Sequence, residues 1–242
     1  MNIPLEPLKV PSLKEACIAR LEQLILSGEL QIGERLPSER EFAARLGVSR
    51  PVLHEALVDL AAKGLVEISP RRGVYVCDYR RSGSVAILSS LLSFHNGQFG
   101  TEFTQSMLEL RLLLESETAY LAALHRTAEQ QQEFEKLLEA EQGAACDDAP
   151  LLTELDFSFH LNIAIASGNL VYPLIINSFK GVYTSLSGQF FRQYCGSAVV
   201  GEVHNFHAQL VRAIEAQRAE AARQIMVEML RHGERYLKGE TV

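Results

Sequence analysis

The chain has 242 residues, 47% hydrophobic and 22% charged, which suits one large or two modest globular domains and excludes disordered, fibrous and low-complexity classes. No run of about 18 apolar residues offers a membrane span, and the first residues lack the cationic start and apolar core of a secretory signal, so a cytoplasmic protein with no membrane partner is expected. The net charge of −7 falls wholly beyond residue 80, because residues 1–80 carry 11 basic and 11 acidic side chains; such a neutral segment still attracts phosphate if its cations share one face.

Over residues 11–27, Leu13, Cys17, Leu21, Leu24 and Ile25 recur at helical spacing, with Ser12 to cap the start and Gly28 to mark the end. A turn-rich connection over 30–37 leads to a short helix over 39–46. Ser38 is its N-cap, Glu41 three residues on completes a capping box, and Gly47 breaks it. Ser49 caps a third helix that reaches about Lys63, tolerates Pro51 in its first turn and is closed by Gly64. Leu65-Val66-Glu67-Ile68 then alternates as a strand, residues 69–73 turn, and Val74-Tyr75-Val76 forms a second strand. Three helices followed by a hairpin is the order of a winged helix-turn-helix, the hairpin being the wing. Residues 78–83 read as the polar exit from the wing, 85–94 as an apolar linker helix and 95–100 as a break. Beyond residue 101 the pattern is almost continuous helix, with segments at 101–125, 128–143, 150–167, 170–194, 198–217 and 219–237. The fold class is therefore mostly α. A winged helix-turn-helix (1–79) is joined by a linker helix (80–100) to an all-α antiparallel bundle (101–242), read as the effector-binding and dimerisation domain.

In a helix-turn-helix the second helix lies in the major groove and its first turn touches base edges. Here that turn presents Arg50, whose guanidinium can grip guanine in a bidentate way worth about 1–3 kcal/mol of discrimination. Ser49 and the helix N-terminus suit a phosphate. Arg40 and Arg45 on the preceding helix could clamp the DNA backbone, and Arg71 and Arg72 form the wing tip, placed for a phosphate or the minor groove. For any single arginine an ordinary solvated charge is as good a reading. The element order, the caps and the placement together favour DNA.

The run Leu36-Pro37-Ser38-Glu39-Arg40-Glu41, followed by Leu46-Gly47-Val48-Ser49-Arg50, resembles the signature of the GntR family of winged-helix transcriptional regulators. The pattern continues through Val52-Leu53-His54-Glu55-Ala56-Leu57, Lys63-Gly64-Leu65-Val66 and Gly73-Val74-Tyr75-Val76, so it covers about residues 10–77. The resemblance implies a homodimer on a short palindromic operator in double-stranded DNA, with contacts at Arg40, Arg50 and Gly73. His54 stands where the family usually carries arginine, which implies a weaker or pH-dependent phosphate contact. Arg71 stands where glycine is common.

In the helical half, Asp156 and His160 are four residues apart and share one face with apolar neighbours Phe159, Ile163 and Ala164. His207 sits on another apolar stripe with Val203, Leu210 and Ile214. A carboxylate and two imidazoles converging in a bundle can hold a divalent metal; the alternative is a hydrogen-bonded core histidine and a carboxylate paired with arginine. The four cysteines, Cys17, Cys77, Cys146 and Cys195, are too few and too scattered for a disulfide framework or zinc finger.

Leu110-Arg111 with Glu115, Leu155-Asp156 with His160, Ala166-Ser167-Gly168-Asn169, and His207 with Ala213-Ile214 make residues 104–237 similar to the ligand-binding domain of the FadR subfamily of GntR regulators. That resemblance implies a divalent metal (zinc, nickel or similar) held by one Asp and three His, with an organic acid completing the coordination. The first three ligands fall on Asp156, His160 and His207, and the fourth falls on Met229, a soft and weak ligand. His232 lies one turn further on. Arg111, Tyr183, Met229 and His232 form the expected effector-binding set, and Arg111 faces two readings, an effector carboxylate or Glu115 four residues on. Leu155-Asp156-Phe157, Tyr172, Leu174-Ile175-Ile176-Asn177 and Lys180-Gly181-Val182-Tyr183-Thr184 resemble instead the acyl-CoA-responsive branch of the subfamily. That branch lacks the metal and implies a greasy tunnel lined by Phe159, Phe179 and Tyr183. The chain holds no GxSxG, no phosphate-cradling glycine loop and no HExxH, so no enzyme is expected. A metal-dependent helical-bundle hydrolase is the competing class, and it leaves the winged helix unexplained.

Overall fold

A computed structural model describes residues 11–94, 101–145 and 147–239, Thr101 by its backbone alone. The expected break at 95–100, the first ten residues and Cys146 lie outside them. The chain divides into two compact units, Met1–Gly97 and Gln98–Val242.

The first unit holds α1 (Leu13–Leu26), α2 (Glu39–Leu46), α3 (Arg50–Ala62), the hairpin of β1 (Val66–Ser69) and β2 (Gly73–Val76), then α4 (Tyr79–Ser82) and α5 (Ile87–Phe94). The strands pair antiparallel with Val66 opposite Val76 and Ser69 opposite Gly73. Ser12 and Glu15 form a full capping box on α1, while Ser49 Oγ accepts from Val52 N at 3.4 Å at the start of α3. Gly47 ends α2 in the left-handed region, φ 66°. The core is built from Leu21, Leu53, Leu57, Leu60 and Leu65, all fully buried, which is what fixes α3 against α1.

Three local expectations are corrected. Ser38 Oγ does accept from Glu41 N (3.3 Å), but the Glu41 carboxylate turns to Arg45 (2.5 Å), so the capping box closes on one side only. The connection 30–37 is more than a turn: Gly33 N donates to Val76 O (2.8 Å), Val76 N to Glu34 O (2.9 Å) and Leu36 N to Val74 O (2.9 Å), laying it along β2. The exit from the wing contains a helical turn, α4, because the Asp78 carboxylate accepts from Arg80 N (3.1 Å).

The linker helix α5 is anchored within this unit. Lys63 Nζ donates to Glu22 Oε1 (2.6 Å) and to Ser90 Oγ (3.0 Å), and Ser90 Oγ donates to the same Glu22 oxygen (2.7 Å). Ser84 then satisfies the end of α3, its N donating to Lys63 O and its Oγ to Ala62 O, both at 3.1 Å. Gly64 sits at φ 75°, and a Cβ there would fall 2.0 Å from the Ser82 carbonyl oxygen, so only glycine fits.

The second unit is entirely helical among its described residues: α6 (Thr101–His125), α7 (Ala128–Gly143), α8 (Ala149–Ala166), α9 (Tyr172–Ser178), α10 (Lys180–Tyr194), α11 (Ala198–Glu215) and α12 (Ala219–Leu237). α6 packs along α12, and α8 lies among α6, α7 and α10. The single helix expected over 170–194 is two, because Phe179 leaves the helical region (φ −108°, ψ 22°) while burying its ring, and Gly181 close behind adds little helical preference. The mostly-α class with a two-stranded wing is otherwise as expected. Among the described residues no helix is long and apolar enough to cross a membrane.

Candidate DNA-binding surface and candidate metal centre

Arg50 is the first residue of α3 and is exposed. Arg40, Arg71 and Arg72 are exposed too, and none of the four makes an ion pair among the described residues. Four unpaired guanidiniums cost little in water and remain available to phosphate or base. Arg45 is engaged by Glu41, and His54 Nδ1 lies 3.0 Å from Glu39 Oε1, so both face carboxylates of α2. Arg71 adopts φ 65° and Gly73 φ 116°, which bends the wing tip so that Arg71, Arg72 and Gly73 occupy one tight turn. Sequence reasoning passed over Arg35, whose backbone pairs with Tyr75 of the wing. It lay in a stretch read as a turn.

In the second unit, Asp156, His160 and His207 come together, and one ligand atom from each lies within 4.8 Å of the others. All three side chains are buried. α8 presents Asp156 and His160 one turn apart, and α11 brings His207 across. Each histidine is oriented from behind. His160 Nδ1 faces Glu115 Oε2 of α6, and His207 Nδ1 lies 2.8 Å from Glu141 Oε1 of α7. That leaves the two Nε2 atoms facing Asp156 Oδ1, at 3.8 Å for His160 and 3.7 Å for His207. His207 Nε2 is buried without a hydrogen-bond partner among the described residues. A buried polar atom left unpaired costs about 1–3 kcal/mol, and a shared cation would satisfy all three groups at once. Two imidazole nitrogens and one carboxylate oxygen suit zinc or nickel and leave further coordination positions open.

Charged and polar side chains link up behind the triad. Arg111 Nε donates to Glu115 Oε1 (2.6 Å), Arg111 Nη2 donates to the Tyr183 hydroxyl (2.9 Å), and that hydroxyl donates to Asp156 Oδ2 (3.0 Å). Burial would raise the Glu115 carboxyl, but Arg111 and His160 outweigh it and hold it down at about 2. Burial likewise disfavours the Arg111 cation, yet Glu115 and Tyr183 keep it firmly protonated. Burial, with Asp156 and Glu115 nearby, pushes the Tyr183 hydroxyl well above its ordinary range, so it stays a neutral donor. His204, half-buried one turn before His207, is pushed down by burial.

A small cavity of about 60 Å³ opens beside Asp156 and His160, its wall also including Arg111, Ser187, Phe190 and Met229. Arg111 pairs with Glu115 and also lines the cavity. Tyr183 is fully buried behind Asp156 and is not part of that wall. Phe159 and Phe179 are buried in packing and do not line it either. His232 lies apart from the triad: its Nε2 is held by Glu202 Oε2 (2.6 Å), and its ring packs against Phe206 and Tyr236. Glu141 went unnoticed in the sequence, although it falls on the apolar stripe of α7 seven residues after buried Phe134, an odd place for a carboxylate.

Residues 13–76 match the bacterial regulatory proteins of the gntR family, and residues 106–232 match the FCD domain. The chain is 35% identical over 182 residues to the HTH-type transcriptional regulator Mce2R of Mycobacterium tuberculosis, a span of 74% of this chain and 73% of that protein. It is 33% identical over 190 residues to the Glc operon transcriptional activator of Escherichia coli, covering 74% and 72% of the two chains. A solved structure, Streptococcus agalactiae GntR, aligns over 93% of this chain and 100% of that one with 27% identity and a TM-score of 0.50.

Proposed function

The chain belongs to the GntR family of bacterial transcriptional regulators, and from that premise we propose that its FCD domain senses a small organic acid in the FadR-type manner, through a bound divalent metal. As a family member the chain is a DNA-binding regulator and not an enzyme. The observation that carries the sensing proposal is the paired orientation of His160 and His207. Each has its Nδ1 turned to a buried carboxylate, so that both Nε2 atoms meet Asp156 Oδ1.

Asp156 Oδ1, His160 Nε2 and His207 Nε2 would hold the ion, which when bound supplies a concentrated positive charge that attracts a carboxylate. Arg111 adds a second cation on the same cavity wall, fixed by Glu115 and Tyr183. Tyr183 keeps Asp156 oriented by donating to its other oxygen. Met229 shapes the apolar side of the cavity. His232, held by Glu202 and packed on Phe206 and Tyr236, does not line the cavity and is left out of the effector set. A long acyl chain from an acyl-CoA is the weaker reading: it would strip water from Arg111, Asp156 and His160 and offer no hydrogen bond in return.

On the DNA side, Arg50 reads a base edge, Ser49 and the α3 N-terminus take a phosphate, and Arg40, Arg45, His54, Arg71, Arg72 and Gly73 position the backbone. The division of labour is a winged helix over 1–79, a linker over 80–100 and a sensor over 101–242, acting in the cytoplasm as a homodimer on a palindromic operator. Effector binding shifts the population of arrangements that fit the two half-sites.

Native mass spectrometry of freshly purified protein tests this reading. The wild type should carry one metal per protomer, with any co-purified acid, and an Asp156→Ala/His160→Ala variant should carry none. A wild type free of metal after zinc or nickel loading contradicts it.

A further inference from the structure

Arg35 is fixed to the wing by its backbone. The strip from Gly33 to Leu36 hydrogen-bonds along β2, and Arg35 stands directly opposite Tyr75 in an antiparallel bridge. Side chains alternate along a strand, so Arg35 and Tyr75 share a face with Gly73, two residues before Tyr75. The Arg35 side chain lies across that glycine. A Cβ at Gly73 would sit 2.9 Å from Arg35 Nε and 3.6 Å from its Cζ. Glycine is required at 73 by φ 116°, and the absence of a side chain leaves the space the Arg35 guanidinium takes up.

Arg35 is exposed and makes no ion pair among the described residues. The acidic neighbours are turned elsewhere: the Glu34 carboxylate accepts from Gln31 N (2.8 Å) and the Glu67 carboxylate from Ser69 Oγ (3.0 Å). A guanidinium carried on a fixed backbone beside the wing and left without an anion is available to one, and planar donors of this kind suit phosphate. Arg71 and Arg72 project from the adjoining turn, so three cations gather on one small hairpin.

We propose that Arg35 is a further DNA-binding residue, lying over Gly73 so that it grips a backbone phosphate together with Arg71 and Arg72. The proposal rests on the reading of the hairpin as a DNA-contacting wing. The test is the salt dependence of binding to a duplex recovered from a random-sequence pool by the wild-type protein. Each phosphate contact contributes roughly 0.9 to the slope of log affinity against log salt. Arg35→Gln should lower that slope by roughly 0.9 for each protomer bound. Arg35→Lys, which keeps the charge, should restore it, and thermal unfolding should match the wild type in both. A wild-type slope in Arg35→Gln overturns the proposal while leaving the DNA-binding reading intact. A slope lowered equally in both variants marks a structural role and also overturns it. A wild type that selects no duplex at all removes the wing reading and this proposal together.

Discussion

Glu115 serves two neighbours at once, balancing the Arg111 cation and turning His160 from behind. Its ionised form is secured by those two partners against burial. Glu115→Gln would leave the buried Arg111 cation without its paired charge, with only a neutral amide oxygen and the Tyr183 hydroxyl as acceptors, and removing the charge of such a pair costs about 3–5 kcal/mol. Urea unfolding should show that loss, and a change under about 1 kcal/mol would argue that water already satisfies the site. The triad itself was legible in the sequence because polar side chains on apolar helical stripes stand out. What escaped was the support. Glu141 stands out only by its place on the apolar stripe of an otherwise acidic helix, and the packing of α7 beside α11 is what reveals that it faces His207. The place of His232 was equally hidden, since the turn that separates it from Met229 carries it to Glu202 instead.

Among the elements, caps and glycines carried most of the information: Ser12, Ser38 and Ser49 mark helix starts, and Gly47 and Gly64 mark ends. The strip at 33–36 was not legible, because its pairing is decided by β2, forty residues away, and its own composition is that of a turn. The break at Phe179 was lost for a similar reason, since burial of that ring is a tertiary matter. The linker helix α5 holds to α1 and the end of α3 through Glu22, Lys63 and Ser90, positions that no sequence spacing connects. Ser90→Ala removes one member of this buried network and should cost about 1–2 kcal/mol. Amide hydrogen exchange across residues 87–94 should then quicken while that of α1 and α3 changes little. Unaltered protection of α5 would mean that Ile87 and Leu91 hold it by packing alone.

At the scale of the whole molecule, the uneven charge matters more than its total. The −7 falls beyond residue 80, and the neutral N-terminal part keeps its exposed, unpaired arginines at the start of α3 and on the wing. A duplex meets local cations there, while the acidic remainder disfavours non-specific wrapping. The winged helix could be read from the order of its turns, whereas the effector could not, because its identity depends on how five helices shape one cavity. The central claim is that the segment beginning at Ser49 enters the DNA groove and offers Arg50 to the bases. Fluorescence anisotropy of the pool-selected duplex, wild type against Arg50→Ala, tests it most directly. Arg50 is exposed and unpaired, so the variant should melt like the wild type yet lose at least tenfold in affinity, about 1.4 kcal/mol. Equal affinity of the two proteins for that duplex would contradict the account.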